Sequence, residues 1–158
     1  MRELILLRHA HAEPAVAGQS DVDRPLSPEG IAEAEAATAW LAAHVARPDR
    51  VLHSPALRTR ETCERVLAGL GYIDSREDAR IYDATPGELF SVIDEHGDAE
   101  RLLLIGHNPG LEQIAALLST GQTGDHRGLP PAGIVVLHIP KDCELEPGVA
   151  SLAAFWAV

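Results

Sequence analysis

Two arginines and two histidines in this chain have the chemistry to hold an anion, provided the fold brings them together: Arg8, His9, Arg58 and His107. Guanidinium forks bind the oxygens of a tetrahedral oxyanion in bidentate, charge-assisted fashion, so two arginines at one place point to a phosphoryl group. A helix expected from Pro109 onward would add its positive dipole end beside His107. Only Arg8 and His9 are neighbours in sequence. The grouping therefore depends on where the strands and helices end.

The elements can be read from apolar runs and helix starts. Apolar runs at Glu3–Leu7, Arg50–His53, Arg80–Tyr82 and Arg101–Ile105 read as strands. Ser27-Pro28, Ser54-Pro55, Thr85-Pro86 and Asn108-Pro109 each set a capping side chain before a proline, which has no N–H to lose and a φ already helical. Thr85 and Glu88 have capping-box spacing. The helices are expected at about 28–46, 55–69, 86–96 and 109–119, with Gly69, Gly71 and Gly97 near their carboxyl ends. Ile31, Ala34, Leu41 and Val45 lie near helical spacing in the first. Two further strands, Gly133–Ile139 and Ala150–Ala157, would form a hairpin through the turn-rich 140–148 segment. The stretch 121–128 reads as a loop. Alternating strands and helices imply an α/β fold, a three-layer α/β/α sandwich with a mostly parallel, mixed sheet.

Ligands of such sheets bind beyond the carboxyl ends of the strands. Arg8 and His9 follow the first expected strand. Ser54 and, one helical turn later, Arg58 follow the second. Asp83 follows the third, and Gly106-His107-Asn108-Pro109-Gly110 follows the fourth. Taken singly, Arg-His after a strand is an ordinary loop dipeptide, Arg58 a solvated helix residue, His107 a turn histidine and Asn108 a helix cap. Only convergence on one sheet edge makes them a site. His44, His53, His96, His126 and His138 share no such convergence and read as structural.

Composition sets the bounds. The 158 residues suit one domain, spanning 1–158, and the 46% hydrophobic content suffices for a core without disulfide staples. Cys63 and Cys143 have neither a disulfide framework nor metal-ligand spacing, and Cys63 reads as a small core residue. The formal net charge of −11 argues against nucleic-acid binding. It need not prevent binding of an anion, because the pocket charges act within a few Å while distant ones are screened over about 8–10 Å. No apolar run approaches the roughly 20 residues of a membrane span, and Leu4–Leu7 is too short for a signal-peptide core. A cytoplasmic protein without membrane association is expected. The helical faces look ordinary, so the expected state is a monomer.

Leu6-Leu7-Arg8-His9-Ala10 resembles the signature of the histidine phosphatase superfamily, the phosphoglycerate-mutase-like enzymes. Asp23-Arg24-Pro25-Leu26-Ser27-Pro28-Glu29-Gly30, Ser54-Pro55-Ala56-Leu57-Arg58-Thr59-Arg60-Glu61-Thr62 and Gly106-His107-Asn108-Pro109-Gly110 extend the resemblance over nearly the whole chain. Their order and the short length are similar to the small SixA-type phosphohistidine phosphatase branch. The resemblance implies that His9 is a nucleophile that becomes phosphorylated. Arg8 and Arg58 would hold phosphoryl oxygens, and His107 would stabilise charge on the transferring group. Asn108 is a further substrate-binding candidate. No metal or other cofactor is implied. A nucleophilic imidazole must be neutral at the attacking nitrogen, with its other N–H held by an acceptor such as a backbone carbonyl.

Larger members of the family carry a glutamate general acid with no identifiable counterpart here. Asp83 is the best-placed carboxylate; Glu13, Asp21 and Asp23 lie in the loop after His9. An alkoxide leaving group would lose the roughly 10²–10⁴-fold help of an acid, whereas imidazole, with a pKa near 6.5, needs much less. The expected substrate is therefore phosphohistidine on a protein, with a small phosphate ester as the alternative. Glu61 stands where the branch often has glutamine, and His11 reads as a pocket-rim residue. Two other readings stay open: a metal hydrolase using His9, His11 and His107, and a catalytically silent phosphate-binding domain.

Overall fold

The apolar run at the start of the chain forms β1, Arg2–Arg8, and its alternation builds both layers of the core. In the computed structural model, which describes residues 2–124 and 127–158, Leu4 and Leu6 face one side of the sheet and Ile5 and Leu7 the other. All four are buried, as a central strand covered on both faces requires. The remaining α-helices and strands are α1 (Pro28–His44), β2 (Arg50–His53), α2 (Leu57–Leu70), β3 (Asp74–Glu77), α3 (Pro86–Glu95), β4 (Arg101–Gly106), α4 (Gly110–Thr120), β5 (Ile134–Ile139) and β6 (Ser151–Trp156). The sheet order is β3-β2-β4-β1-β5-β6. The first four strands in that order run parallel, β5 is antiparallel to β1, and β6 is antiparallel to β5.

Leu4, Leu6, Leu102 and Leu104 pack with Leu89, Val92 and Ile93 of α3 and Leu111, Ile114 and Leu118 of α4. Ile5, Leu7, Leu103 and Ile105 pack with Ala34, Ala37 and Leu41 of α1 and Cys63 and Val66 of α2. This is the expected three-layer α/β/α sandwich with a mostly parallel, mixed sheet, and β5 and β6 form the expected hairpin. Cys63 is buried among these side chains, and burial pushes its thiol up to about 11. Among the described residues, no helix is long and apolar enough to cross a membrane. Two residues of the loop expected at 121–128, Asp125 and His126, lie outside the described residues.

One strand was expected in the wrong place. Arg80–Tyr82 is not a strand; Ala79–Ile81 form a 3-10 turn, begun by the Asp78 carboxylate accepting from the Arg80 amide. The strand is Asp74–Glu77, with the sequence Asp-Ser-Arg-Glu. It lies at the sheet edge, pairs only with β2, and leaves most of its residues exposed, so no apolar pattern is needed to hold it. Ile81 is buried like a strand residue, but it reaches the core from the turn.

The helix starts follow the capping logic at two sites. The Ser27 hydroxyl accepts from the Gly30 amide, and Thr85 with Glu88 closes a capping box. At the other two sites the helix begins later than expected, at Leu57 and Gly110, which leaves Ser54 and Asn108 with other tasks. Gly71 caps α2 at φ +86°, whereas Gly69, also expected near a cap, lies inside α2 where a Cβ would strike Thr38.

Gly30 brings α1 against the chain just after β1. A Cβ there would overlap the His11 carbonyl, which is backbone and has no rotamer to escape into. Gly30→Ala is expected to cost about 1–3 kcal/mol of stability through overpacking. Urea unfolding measures it; an unchanged midpoint would refute the close approach.

Candidate active site

The pairing of the sheet does not stop where β1 does. The His9 amide donates to the Gly106 carbonyl at 3.0 Å, and the Arg8 amide donates to the Gly133 carbonyl at 3.1 Å. On the same side, the Ala132 amide donates to the carbonyls of Arg8 and His9. Arg8 and His9 are thus held from both neighbouring strands, with both residues half-buried.

The His9 ring is fixed by its Nδ1, 2.7 Å from the Ala10 carbonyl. A carbonyl can only accept, so Nδ1 carries the hydrogen and Nε2 is bare. Burial lowers the His9 pKa to about 4, with the Arg58, Arg8 and Arg24 charges adding to the effect against the opposing pull of the Ala10 bond. The ring is neutral at physiological pH.

Arg58, in the first turn of α2, is buried at 6% exposure. Its Nη1 donates to the Asp21 carbonyl at 2.8 Å and its Nη2 to the Asp21 carboxylate at 3.0 Å. Arg8 donates through Nη1 to the Leu129 carbonyl at 2.9 Å. In both guanidinium groups, Nε is buried and has no hydrogen-bond partner among the described residues. Each cation is anchored at one end by backbone and keeps a donor that an anionic oxygen would satisfy.

His107 sits after β4, its ring 5.1 Å from that of His9, centroid to centroid. Its Nε2 is 2.7 Å from the Ser54 hydroxyl, which in turn meets the Thr59 hydroxyl at 2.7 Å. Burial lowers the His107 pKa to about 3, helped by His9 and Arg58. The Tyr82 ring meets His107 edge-on at 5.4 Å.

The fold therefore brings Arg8, His9, Arg58 and His107 to one edge, as their placement after the strands predicts. Asp83, at φ +53°, lines a cavity of about 260 Å³ together with Thr85, His107 and Asn108. Asn108 borders this cavity, but its side chain is spent inside the protein. Nδ2 donates to the Leu129 carbonyl and to Glu112, and Oδ1 accepts from the Glu112 amide. It thereby braces the carbonyl that anchors Arg8. Glu61 accepts from the Leu26 amide, fixing the loop before α1. His11 turns away to Glu33, which binds both its ring and its backbone amide. Among the described residues, the histidine and carboxylate side chains near enough to share an ion are His11, Glu29 and Glu33. That set excludes His9 and His107, so the three-histidine metal centre is not assembled.

Sequence reasoning considered Asp21 only as a weaker acid, and it missed Tyr82 and Arg24. The Asp21 carboxylate accepts from the Tyr82 hydroxyl at 2.5 Å, from Arg24 at 3.0 Å and from Arg58. These donors, Tyr82 first, hold its carboxyl far below the usual range. The Asp21–Arg24 spacing hinted at a local pair. The decisive partners, Arg58 and Tyr82, come from distant elements and left no pattern.

A model of the histidine phosphatase superfamily (branch 1) matches residues 4–101. The chain belongs to this superfamily. An uncharacterised protein of Mycobacterium tuberculosis is 38% identical over 157 residues, covering 92% of this chain and 96% of that protein. A solved structure assigned as phosphohistidine phosphatase SixA from Agrobacterium tumefaciens is 30% identical with a TM-score of 0.86, over 99% of this chain and 98% of that one. The protein histidine phosphatase SixA in complex with tungstate shares the fold at 22% identity and a TM-score of 0.85, over 98% and 96% of the two chains. A histidine-phosphatase-type phosphatase is the activity that family membership supports.

Two predictions follow from the electrostatics. In the unfolded chain His9 and His107 take up protons near pH 6.5, whereas in the folded protein they do so only near 4 and 3. Their lowered values contribute stability that is fully present above about pH 6.5 and is lost as pH falls toward 4. The urea midpoint is expected to drop between pH 7.5 and 4.5, and to drop less in a His9→Asn/His107→Asn variant; equal drops would contradict the burial. Asp21→Asn weakens the hold on Arg58 and is expected to lower phosphatase kcat/KM by about 10- to 100-fold, the scale of one charge-assisted hydrogen bond. Steady-state kinetics on the folded variant test this, and a wild-type value would remove Asp21 from the site.

Proposed function

We propose that this protein is a metal-independent phosphatase that removes phosphoryl groups from histidine side chains of a protein substrate. His9 Nε2 attacks phosphorus in line as the P–N bond of the substrate breaks, and the departing imidazole nitrogen takes a proton drawn from solvent. Arg8 and Arg58 neutralise the equatorial oxygens, and His107 supports the charge of the transferring group. Water then attacks phosphorus in phospho-His9, freeing the imidazole and releasing inorganic phosphate.

The observation that carries the substrate reading is the state of Asp21. It is the carboxylate bonded directly to Arg58, and three donors keep it ionised, so it does not serve as a general acid. A site without that acid suits a leaving imidazole better than an alkoxide. The likeness to the Agrobacterium structure assigned as a phosphohistidine phosphatase points the same way.

A second reading, hydrolysis of a small phosphate ester, is favoured by the cavity beside His107. Its lining includes Asp83, and its volume suits a small alcohol. In that case Asp83 protonates the leaving alkoxide.

Phosphate release from a phosphohistidine-bearing protein and from a panel of phosphate esters, each with and without chelator, separates these readings. The phosphohistidine protein is expected to be the better substrate, chelator to have no effect, and His9→Ala to abolish both turnover and phosphate trapping on the enzyme. Asp83→Asn should spare phosphohistidine hydrolysis; a loss of about 10²–10⁴-fold on an ester alone would instead select the second reading. Wild-type turnover by His9→Ala would overturn the mechanism.

A further inference from the structure

The hydroxyls behind His107 decide which of its nitrogens carries the hydrogen. Thr59 Oγ1 lies 2.7 Å from the Ala56 carbonyl, 2.9 Å from the Ser54 carbonyl and 2.7 Å from Ser54 Oγ. A carbonyl oxygen only accepts, and two oxygens this close with no hydrogen between them repel. The single Thr59 hydrogen therefore goes to the carbonyls. It is not available for Ser54 Oγ, so the Ser54 hydrogen points to Thr59. Ser54 Oγ is then left with two lone pairs, and two neighbours reach them: the Ala56 amide at 3.3 Å and His107 Nε2 at 2.7 Å. Both must donate. Ser54 and Thr59 are buried, with no exposed surface, so solvent offers no alternative partner.

We propose that Thr59, acting through Ser54, is a positioning residue that locks neutral His107 as the Nε2–H tautomer, so that a phosphoryl anion binds together with a proton taken up at His107 Nδ1. Nδ1 makes no hydrogen bond among the described residues, and in the resting protein it is a lone pair. The charged and titratable groups around the ring are His9, Arg58, Asp21 and Arg8, with Tyr82 at its edge and Asp83 on the cavity that His107 also lines. Burial, aided by the cations among them, keeps Nδ1 bare until an anion arrives. A lone pair facing a phosphoryl oxygen repels it. Transfer of one proton from solvent, or from a protonated phosphoryl oxygen, to Nδ1 converts that repulsion into a charge-assisted hydrogen bond. The other N–H stays on Ser54. The same proton is then placed to pass to the departing imidazole. This last consequence rests on the phosphatase reading; the tautomer does not.

Nitrogen-15 NMR of the histidine rings tests the lock in the full chain without any assay of activity. Free wild-type protein at pH 7 is expected to show His107 as Nε2–H, and addition of tungstate, a tetrahedral dianion, to convert it to imidazolium. Thr59→Val frees the Ser54 hydrogen to turn toward Nε2, so an Nδ1–H population appears; Thr59→Ser restores the wild-type spectrum. His107 found as Nδ1–H in the free wild-type protein would overturn the proposal, and so would a ring that stays neutral with tungstate bound. If Thr59→Val fails to fold, the wild-type spectra decide alone. Absence of turnover on every phosphorylated substrate would defeat the proposed function while leaving the tautomer result in place.

Discussion

The site depends on hydrogen bonds that carry sheet pairing past the end of β1. Without the Gly106 and Gly133 carbonyls and the Ala132 amide, Arg8 and His9 would be loop residues with loop freedom. With them, the two backbones are held almost as firmly as a central strand, while the side chains emerge where strand packing ends. The nucleophilic geometry then needs one further contact, from His9 Nδ1 to the carbonyl of the next residue. Alignment of this kind, set before substrate arrives, accounts for much of what phosphoryl transfer asks of a protein.

Burial of two guanidinium groups beside two imidazoles is costly unless the charges are met. The fold answers differently at each. Arg8 donates to the Leu129 carbonyl, which Asn108 braces from the other side, and it lies within the field of the Glu112 and Glu33 carboxylates. Arg58 has a true counter-ion in Asp21, and Asp21 is shared with Arg24 and Tyr82. The histidines respond by remaining neutral. Two guanidinium groups whose Nε donors have no partner among the described residues thus stand in the site even though the whole chain carries −11. Close charges in a partly desolvated pocket outweigh distant ones that salt screens.

Much of this was legible in the sequence, because strong local signals did the specifying. The apolar runs of β1 and β4, the Ser27 and Thr85 caps and the position of Arg58 one turn into α2 all rest on neighbours in the chain. What escaped was non-local or had two uses. β3 is an edge strand held by backbone pairing and needs no apolar pattern. Asp21 joins Arg58 and Tyr82 only after folding. Ser54 before Pro55 looked like a helix cap, yet α2 begins three residues later and the hydroxyl serves His107. Asn108 looked like either a cap or a ligand, and its bonds to Glu112 and Leu129 make it a brace.

These double uses share a cause. Side chains that suit a helix start are short, polar and able to donate or accept, which are also the requirements for orienting a catalytic ring. At the carboxyl edge of a parallel sheet every strand runs toward the site and every following helix begins beside it. Capping residues and site residues therefore compete for the same few positions. Ser27 and Thr85, whose side chains bond their own helix termini, remain caps. Ser54 stands opposite His107 and is captured by it. The helix behind is left to begin with Ala56, whose side chain makes no capping bond, and with Thr59, whose hydroxyl lies against the carbonyls of Ser54 and Ala56. The helix gives up one cap, and the threonine in its first turn draws the serine hydrogen away from the histidine.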